Sequence, residues 1–231
     1  MKIKKEALRL YAVTDRRWLK TRETLRSSVE ELLKAGVTCV QLREKEAGEE
    51  LLLQEAEELQ ALCAYYGVPL IINDYPGIAK KVKASGVHVG LSDMEVEGVR
   101  KCLGEEFIIG ASAHNVREAR EAEAAGADYI GCGAVFGSST KRNVTVLAKE
   151  ELKRICQAVE IPVVAIGGIT LKNVRQLAGT GIAGVAVVSA LFSPEDKERA
   201  VREFLKSGFD FLKDDAGKEV QDENGIDHCR K

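Results

Sequence analysis

The fold of this chain is decided by two stretches, AIGGI at 165–169 and GVAVVSA at 184–190. Each is a short apolar run that ends in small residues, and a segment with helical spacing lies between them. Such runs are typical of parallel strands that are buried on both faces. In a (β/α)8 barrel, the loops after the last two strands often hold a phosphate. The two stretches therefore predict a barrel with an anion site at the carboxyl ends of its strands.

Strand-like and helix-like patterns alternate along the rest of the chain. Short, continuously apolar runs are separated by charged segments with helical spacing. The predicted strands are 8–14, 38–43, 70–74, 86–89, 107–112, 129–135, 163–167 and 183–189. Evenly spaced strands that alternate with helices favour an α/β fold, and a single (β/α)8 barrel rather than a doubly wound open sheet. Glycines predicted to end a helix and begin an even-numbered strand support the repeat, at Gly36, Gly86, Gly126 and Gly181.

The length and composition fit a globular protein with one barrel. The chain has 231 residues, close to the roughly 250 of a typical (β/α)8 barrel. We predict the barrel over residues 1–213 and a polar, disordered tail over 214–231. The net charge of −2 gives no sign of a nucleic-acid partner. No apolar run approaches the roughly 18 residues of a membrane span.

The cysteines are scattered and point to a reducing compartment. There are six, and none forms a C-x-x-C pair, whereas a secreted disulfide framework is denser in cysteine. No apolar segment follows the basic start at 1–5, so no secretory signal is expected. We therefore expect a cytoplasmic protein without a zinc site. The pattern leaves the oligomeric state open, including a homo-oligomer.

Polar side chains at the carboxyl ends of the predicted strands are the candidates for function, because barrel active sites lie there. Gln41, Arg43 and Lys45 alternate at the end of the second strand and so share one face. This face suits a ligand rich in anionic oxygens, and the alternative is a solvated strand end. Asp74 and Asp93 follow the third and fourth strands, and paired carboxylates beside such cations suit Mg²⁺. Each could instead cap the helix that follows it.

Further candidates belong to the later strands. Ser112 could donate a hydrogen bond into the barrel mouth. His114 either acts as an acid or base or is a structural group at the start of a helix, and His88 is predicted to be a packing residue. The segment SSTKRN at 138–143 combines hydroxyls with Lys141 and a further cation. It suits phosphate contacts and a lid over the ligand, and the alternative is an ordinary surface loop.

In their order and spacing, these motifs resemble those of the thiamine-phosphate synthase family over residues 10–205. The motifs are YAVTD at 11–15, QLREK at 41–45, IIND at 71–74, GVHVG at 86–90 with DM at 93–94, GASAH at 110–114, AGADYIG at 125–131, SSTK at 138–141, GGI at 167–169 and VSA at 188–190. The resemblance implies a Mg²⁺-dependent transferase that joins hydroxymethylpyrimidine diphosphate to hydroxyethylthiazole phosphate. In this family the diphosphate leaves first, and the thiazole nitrogen captures the pyrimidine cation.

The resemblance also implies a role for each matching residue. Mg²⁺ is held by Asp74 and Asp93. The diphosphate is bound by four polar side chains, Arg43, Lys45, Asn73 and Lys141. The pyrimidine is contacted by Gln41 and Ser112. Hydroxyls and backbone groups hold the thiazole phosphate, at Ser138, Thr140, Gly168, Val188 and Ser189. The residues expected to act on the reacting groups are Arg43, Lys45, Ser112 and Lys141.

Some segments depart from the family pattern and keep two alternatives open. YPG stands at 75–77, where the family usually has Arg-Val-Asp, and the neighbours of Asp93 and of Lys141 also differ. A related thiazole tautomerase keeps the barrel and would use His114 as acid or base. A barrel that binds a phosphorylated ligand without catalysis is the other alternative. The retained metal and diphosphate residues favour the synthase.

Overall fold

Eight parallel strands close into one barrel. A computed structural model of the protein describes residues 3–90, 96–137 and 146–207. Each strand pairs in parallel with its neighbours along the chain, and β8 pairs with β1 to close the ring. The strands are β1 (Leu10–Val13), β2 (Cys39–Leu42), β3 (Leu70–Asn73), β4 (Gly86–Val89), β5 (Ile108–Ala113), β6 (Tyr129–Gly133), β7 (Val163–Ile166) and β8 (Gly184–Val187). The predicted (β/α)8 barrel is therefore confirmed, and most strands are slightly shorter than expected.

A helical segment follows every strand. The α-helices are α1 (Leu25–Ala35), α2 (Glu49–Tyr66), α3 (Pro76–Val82), α4 (Val96–Leu103), α5 (Val116–Ala124), α6 (Lys149–Ala158), α7 (Ser189–Phe192) and α8 (Lys197–Ser207). Short 3-10 helices lie at Lys5–Leu8, Arg16–Trp18 and Val174–Leu177. The helical segment predicted between the last two strands is only the third of these. Gly179 and Gly181 follow it at positive φ and end the helical path.

The core has two layers because successive strand residues point to opposite faces. Leu10 and Ala12 belong to the larger cluster, which the strands share with the helices. Tyr11 and Val13, one residue along, belong to a second cluster inside the barrel. Side chains therefore fill the barrel, and its interior is packed rather than open. Among the helices that the structure describes, none is long and apolar enough to cross a membrane.

Three of the four glycines of the predicted repeat have the positive φ expected after a helix, and the strand that follows each begins three residues later. Gly36, Gly126 and Gly181 lie at φ values of 107°, 97° and 86°. Gly86 is different, because it is the first residue of β4. A Cβ there would lie 2.1 Å from the carbonyl oxygen of Ile108, so this glycine lets β4 and β5 approach closely. The tail predicted at 214–231 lies outside the described residues and stays a prediction.

Candidate active site

A cavity of about 680 Å³ opens at the carboxyl ends of the strands. Its volume is typical of sites for small molecules. Every strand contributes to the wall, for example through Tyr11, Gln41, Asn73, His88, Ser112, Tyr129, Ile166 and Ala186. The cavity therefore lies where barrel enzymes place their active sites.

The structure brings many of the predicted site residues to this cavity. Its lining includes Gln41, Arg43, Asn73, Ser112, Gly168, Val188 and Ser189. Lys45 and Asp74 lie just past the ends of β2 and β3, where Nζ and Oδ2 are 3.5 Å apart. The remaining predicted residues lie outside the described ranges, namely Asp93, Ser138, Thr140 and Lys141.

The end of the cavity at β7 and β8 is shaped by two glycines. Gly167 and Gly168 have φ values of 101° and 65°, in the left-handed region. A Cβ on Gly168 would lie 2.3 Å from the carbonyl oxygen of Gly137. The carbonyl oxygen of Gly168 accepts a hydrogen bond of 2.9 Å from Nδ2 of Asn173. The backbone after β7 is therefore held in one conformation that only glycine fits easily.

A carboxylate on a strained residue lies just past the end of β3. Asp74 has a φ of 64°, and its N–H donates to the carbonyl oxygen of His88 at 2.9 Å. Its Oδ2 accepts a hydrogen bond from Nδ2 of Asn73 at 2.5 Å. The capping alternative for Asp74 is wrong, because the N-cap of α3 is Tyr75, without a side-chain bond. The carboxylate is therefore held by Asn73 and Lys45 rather than by the start of α3.

The donor set at this end fits Mg²⁺. The cation is usually bound by one or two carboxylates together with substrate phosphate oxygens and water. Asp74 supplies one such carboxylate, and Arg43 and Lys45 supply positive charge for the phosphate. Within the described ranges, no three His, Cys, Asp or Glu side chains form a closed metal cluster. An all-protein cage is therefore not built from these residues, whereas a shared site with a phosphate is compatible with them.

Arg43 is positioned by a group of residues that the sequence did not single out as site residues. Its backbone N–H donates to Oγ1 of Thr14 at 2.9 Å, and that hydroxyl donates to Oε1 of Glu44 at 2.9 Å. Arg16 binds the other oxygen of Glu44 at 2.8 Å and also binds Glu55 at 2.7 Å. Burial raises the pKa of Glu55 even though Arg16 opposes this effect. The backbone N–H of Arg43 is therefore fixed to the residue that follows β1 through the Thr14 hydroxyl, which the buried carboxylate of Glu44 orients.

A row of hydrogen bonds crosses the barrel beneath the cavity. Nε2 of Gln41 donates to the hydroxyl of Tyr11 at 2.8 Å, and that hydroxyl lies 2.9 Å from the hydroxyl of Tyr129. The Tyr129 hydroxyl lies 3.0 Å from Nδ1 of His88, and Nε2 of His88 lies 3.1 Å from Oγ of Ser112. His88, predicted as a packing residue, is instead a polar part of the cavity wall. The tyrosines were missed, although a buried tyrosine hydroxyl usually requires a partner.

His114 lies at the start of α5 and also at the cavity edge. Its Nδ1 is 3.2 Å from Oε2 of Glu118, and its backbone N–H donates to the same oxygen at 2.7 Å. Burial opposes ionisation of Glu118, but the bonds from His114 and Asn115 outweigh it and lower the pKa of that carboxyl. These two contacts with Glu118 support the alternative that His114 is a structural group at the start of a helix. Its imidazole is also more than half exposed.

Comparisons with known proteins agree with this site. A family model described as thiamine monophosphate synthase matches residues 10–191. Thiamine-phosphate synthase 2 of Streptococcus pneumoniae serotype 4 is 47% identical over 202 residues, which cover 87% of this chain and 96% of the relative. Thiamine-phosphate synthase of Clostridium acetobutylicum is 45% identical over 201 residues, which cover 86% and 95%.

A solved structure shows the same similarity. The structure of thiamine phosphate pyrophosphorylase from Pyrococcus furiosus matches with a TM-score of 0.82 and 37% identity, over 90% of this chain and 98% of that one. The family match spans most of the barrel, and the similar proteins are covered almost completely. The family and the transferase class predicted from the sequence are confirmed. The chain belongs to the thiamine monophosphate synthase family.

Proposed function

We propose that this chain joins hydroxymethylpyrimidine diphosphate to hydroxyethylthiazole phosphate, giving thiamine phosphate and diphosphate. The observation that carries the proposal is a single cavity with polar groups at two different ends, each of which would bind an anion. Arg43, with Lys45 and Asp74 beside it, forms the end at β2 and β3. Gly168 and Ser189 form the end at β7 and β8. A reaction that joins two phosphorylated molecules requires both ends.

The β2–β3 end would bind the diphosphate of the pyrimidine substrate. Arg43, Lys45 and Asn73 would contact its oxygens, and Lys141 would add a further cation from the 138–143 segment. Charge-assisted hydrogen bonds of this kind are the strong ones. Asp74 and Asp93 would hold Mg²⁺, which would neutralise charge on the departing diphosphate.

The opposite end would bind the thiazole phosphate. Gly168 would contribute its backbone, and Ser189 would add a hydroxyl at the cavity wall. Val188 would contribute its backbone, and Ser138 and Thr140 would contribute hydroxyls. Because backbone N–H groups cannot move far, the phosphate would fix the position of the thiazole ring.

The pyrimidine would lie between the two ends, against Gln41 and Ser112. The C–O bond to the diphosphate breaks, the oxygen keeps the electron pair, and the thiazole nitrogen then forms the new C–N bond. This sequence requires no strong base in the protein. It does require that water be kept from the pyrimidine cation, which is the role we propose for the 138–143 segment as a lid.

We also propose that the protein acts in the reducing cytoplasm. Five free cysteines lie in the described residues: Cys39, Cys63, Cys102, Cys132 and Cys156. Burial raises the pKa of Cys63 to about 12 and that of Cys156 to about 12, so both thiols are poor nucleophiles. The chemistry of these two thiols supports a packing role without disulfide formation.

The test is an assay that follows thiamine phosphate from both phosphorylated substrates, with and without Mg²⁺. We expect Mg²⁺-dependent product, and we expect Asp74→Ala and Lys141→Ala each to lower turnover by about 10²–10³-fold. Glu57→Gln, on the exposed surface of α2, is the matched control and should leave turnover unchanged. Full turnover by both active-site variants would contradict the proposed diphosphate end.

The same assay separates the alternatives. Interconversion of thiazole tautomers without thiamine phosphate formation would identify the tautomerase, with His114 at the cavity edge as its acid or base. Binding of both phosphorylated compounds without turnover in either assay would identify a non-catalytic barrel. Either result would overturn the proposed synthase reaction.

A further inference from the structure

The row of hydrogen bonds in the cavity wall links two residues that, under the proposed function, face the same ligand. Gln41 and Ser112 lie at its ends, and Tyr11, Tyr129 and His88 lie between them. Each link is between 2.8 and 3.1 Å long. The two tyrosines are almost completely buried, at 1% and 0% exposure, so bulk water does not compete for their hydroxyls. The five groups therefore form one continuous polar connection.

The tyrosines remain neutral hydroxyl donors. Burial raises the pKa of both phenols well above their ordinary value. The nearby Cys39 thiol is also kept neutral, because burial raises its pKa. Each phenol thus has one proton to donate.

Because each hydroxyl has one proton, the row has one arrangement in each direction in which every link runs the same way. When Gln41 donates to Tyr11, each hydroxyl passes its own proton to the next group, and Nδ1 of His88 is an acceptor. In this direction a neutral imidazole would carry its proton on Nε2 and donate it to Oγ of Ser112. The hydroxyl proton of Ser112 is left for the ligand. In the reverse direction, every donor in the row becomes an acceptor and every acceptor becomes a donor.

We propose that Tyr11 and Tyr129 are positioning residues that couple the two ligand contacts, so that Gln41 offers an acceptor and Ser112 offers a donor. This inference rests on the proposed function, in which both residues face the pyrimidine. An aminopyrimidine carries an amino donor next to a ring-nitrogen acceptor, which matches the pair. The corresponding oxo compound carries a carbonyl acceptor next to an N–H donor. It is disfavoured because its carbonyl oxygen would face the Gln41 oxygen, and turning the amide over would give up the donation from Nε2 to Tyr11.

The variant that tests the coupling is Tyr129→Phe. It removes the central hydroxyl and keeps the ring, which packs against Gly110 so closely that a Cβ there would lie 2.1 Å away from it. Nδ1 of His88 then loses its hydroxyl partner. Tyr11→Phe breaks the row one step earlier and leaves the bond between Tyr129 and His88 in place. Tyr65→Phe, at a residue that is 83% exposed, is the matched control.

The first measurement is the tautomer of His88 by nitrogen-15 NMR, with His88→Asn used to assign its signals. The chain has only three histidines, so the spectrum is simple. We expect the Nε2–H tautomer in the wild type and in Tyr65→Phe. We expect a mixture in Tyr129→Phe and also in Tyr11→Phe, because Gln41 no longer sets the direction of the row in either variant. An unchanged single tautomer in Tyr129→Phe would overturn the coupling.

The second measurement is kinetic. Loss of one buried hydrogen bond predicts a KM for the pyrimidine diphosphate about tenfold higher in Tyr129→Phe. The preference for the amino over the oxo compound, measured with the latter as an inhibitor, should fall by a similar factor in both Phe variants. The KM for the thiazole phosphate should not change. Equal increases in both KM values would mean that the tyrosine acts only in packing, and would overturn the inference.

These outcomes are distinct from failure of the proposed function. A wild-type protein that forms no thiamine phosphate would refute the proposed reaction. The tautomer measurement needs no substrate, so its result would still confirm or overturn the coupling between Tyr129 and His88.

Discussion

Replacing Gly168 with alanine tests whether the backbone after β7 holds the thiazole phosphate. Gly168 has a φ of 65°, where an L-residue costs roughly 1–2 kcal/mol relative to an ordinary conformation. Its new Cβ would also lie 2.3 Å from the carbonyl oxygen of Gly137 and 2.9 Å from that of Phe136. Both are backbone atoms, so the chain itself has to move.

Gly179→Ala is the matched control, because it carries the same backbone cost without the collision. Gly179 has a φ of 74°, and a Cβ there meets nothing within 4 Å. We expect Gly179→Ala to lower the free energy of unfolding by about 1–2 kcal/mol. Gly168→Ala should lower it by a further 1–3 kcal/mol or so, the usual cost of overpacking.

The assay combines urea unfolding with the KM values for both substrates. Gly168→Ala should raise the KM for the thiazole phosphate about tenfold or more, a scale that corresponds to roughly 1.4 kcal/mol of lost binding. The KM for the pyrimidine diphosphate should change little, because its anion lies at the opposite end. The reasoning is refuted if the two glycine variants are equally stable and bind the thiazole phosphate equally well.

Other predictions concern the support of Arg43 and the closure of the barrel. Thr14→Val should lower the free energy of unfolding by about 1–3 kcal/mol, since it leaves the Arg43 N–H and a Glu44 oxygen without their shared partner. The same variant should raise the KM for the pyrimidine diphosphate, because Arg43 loses its support. An unchanged midpoint of urea unfolding would contradict the role of the Thr14 hydroxyl. Lys197 is buried, and its Nζ lies 2.6 Å from Glu23. Glu23→Gln should lower the free energy of unfolding by about 3 kcal/mol, because it takes the carboxylate away from a buried charge. Lys197→Met should lower it much less, because it removes the buried charge itself. Burial opposes ionisation of Glu23, but Lys197 lowers the pKa of this carboxyl on balance. The stability that the ionised carboxylate gives the folded state should therefore be lost as the pH falls below the ordinary carboxyl pKa near 4. A wild-type acid unfolding curve identical to that of Glu23→Gln would exclude this contribution.

The sequence was sufficient for the barrel because the signals are local. Continuous apolar runs such as 163–166 reveal buried parallel strands, and Gly167 with Gly168 reveals the turn after β7. The polar residues at strand ends are also local signals, so the sequence alone predicts Arg43 and Asn73 at the cavity, and both line it. Their actual contacts with ligands stay predictions.

The supporting contacts could not be read from the sequence because they depend on register. Tyr11 pairs with Cys39 across the β1–β2 ladder, and this register places its hydroxyl within reach of Gln41. Tyr129 reaches Tyr11 only across the barrel interior, 118 positions away along the chain. Gly86 shows the same limit. The sequence predicts that this glycine ends a helix, whereas the structure shows that it allows the close approach of Ile108.

The pairing of β1 with β8 has a consequence for synthesis on the ribosome. Until Gly184–Val187 has emerged, β1 has an unpaired edge, and so does the newest strand. Open edges of apolar strands invite pairing with other chains. The contact of Lys197 with Glu23 forms later still, because α8 follows β8. A nascent chain of this protein is therefore vulnerable to aggregation through nearly its whole translation, and chaperone protection should matter most just before the last strand appears.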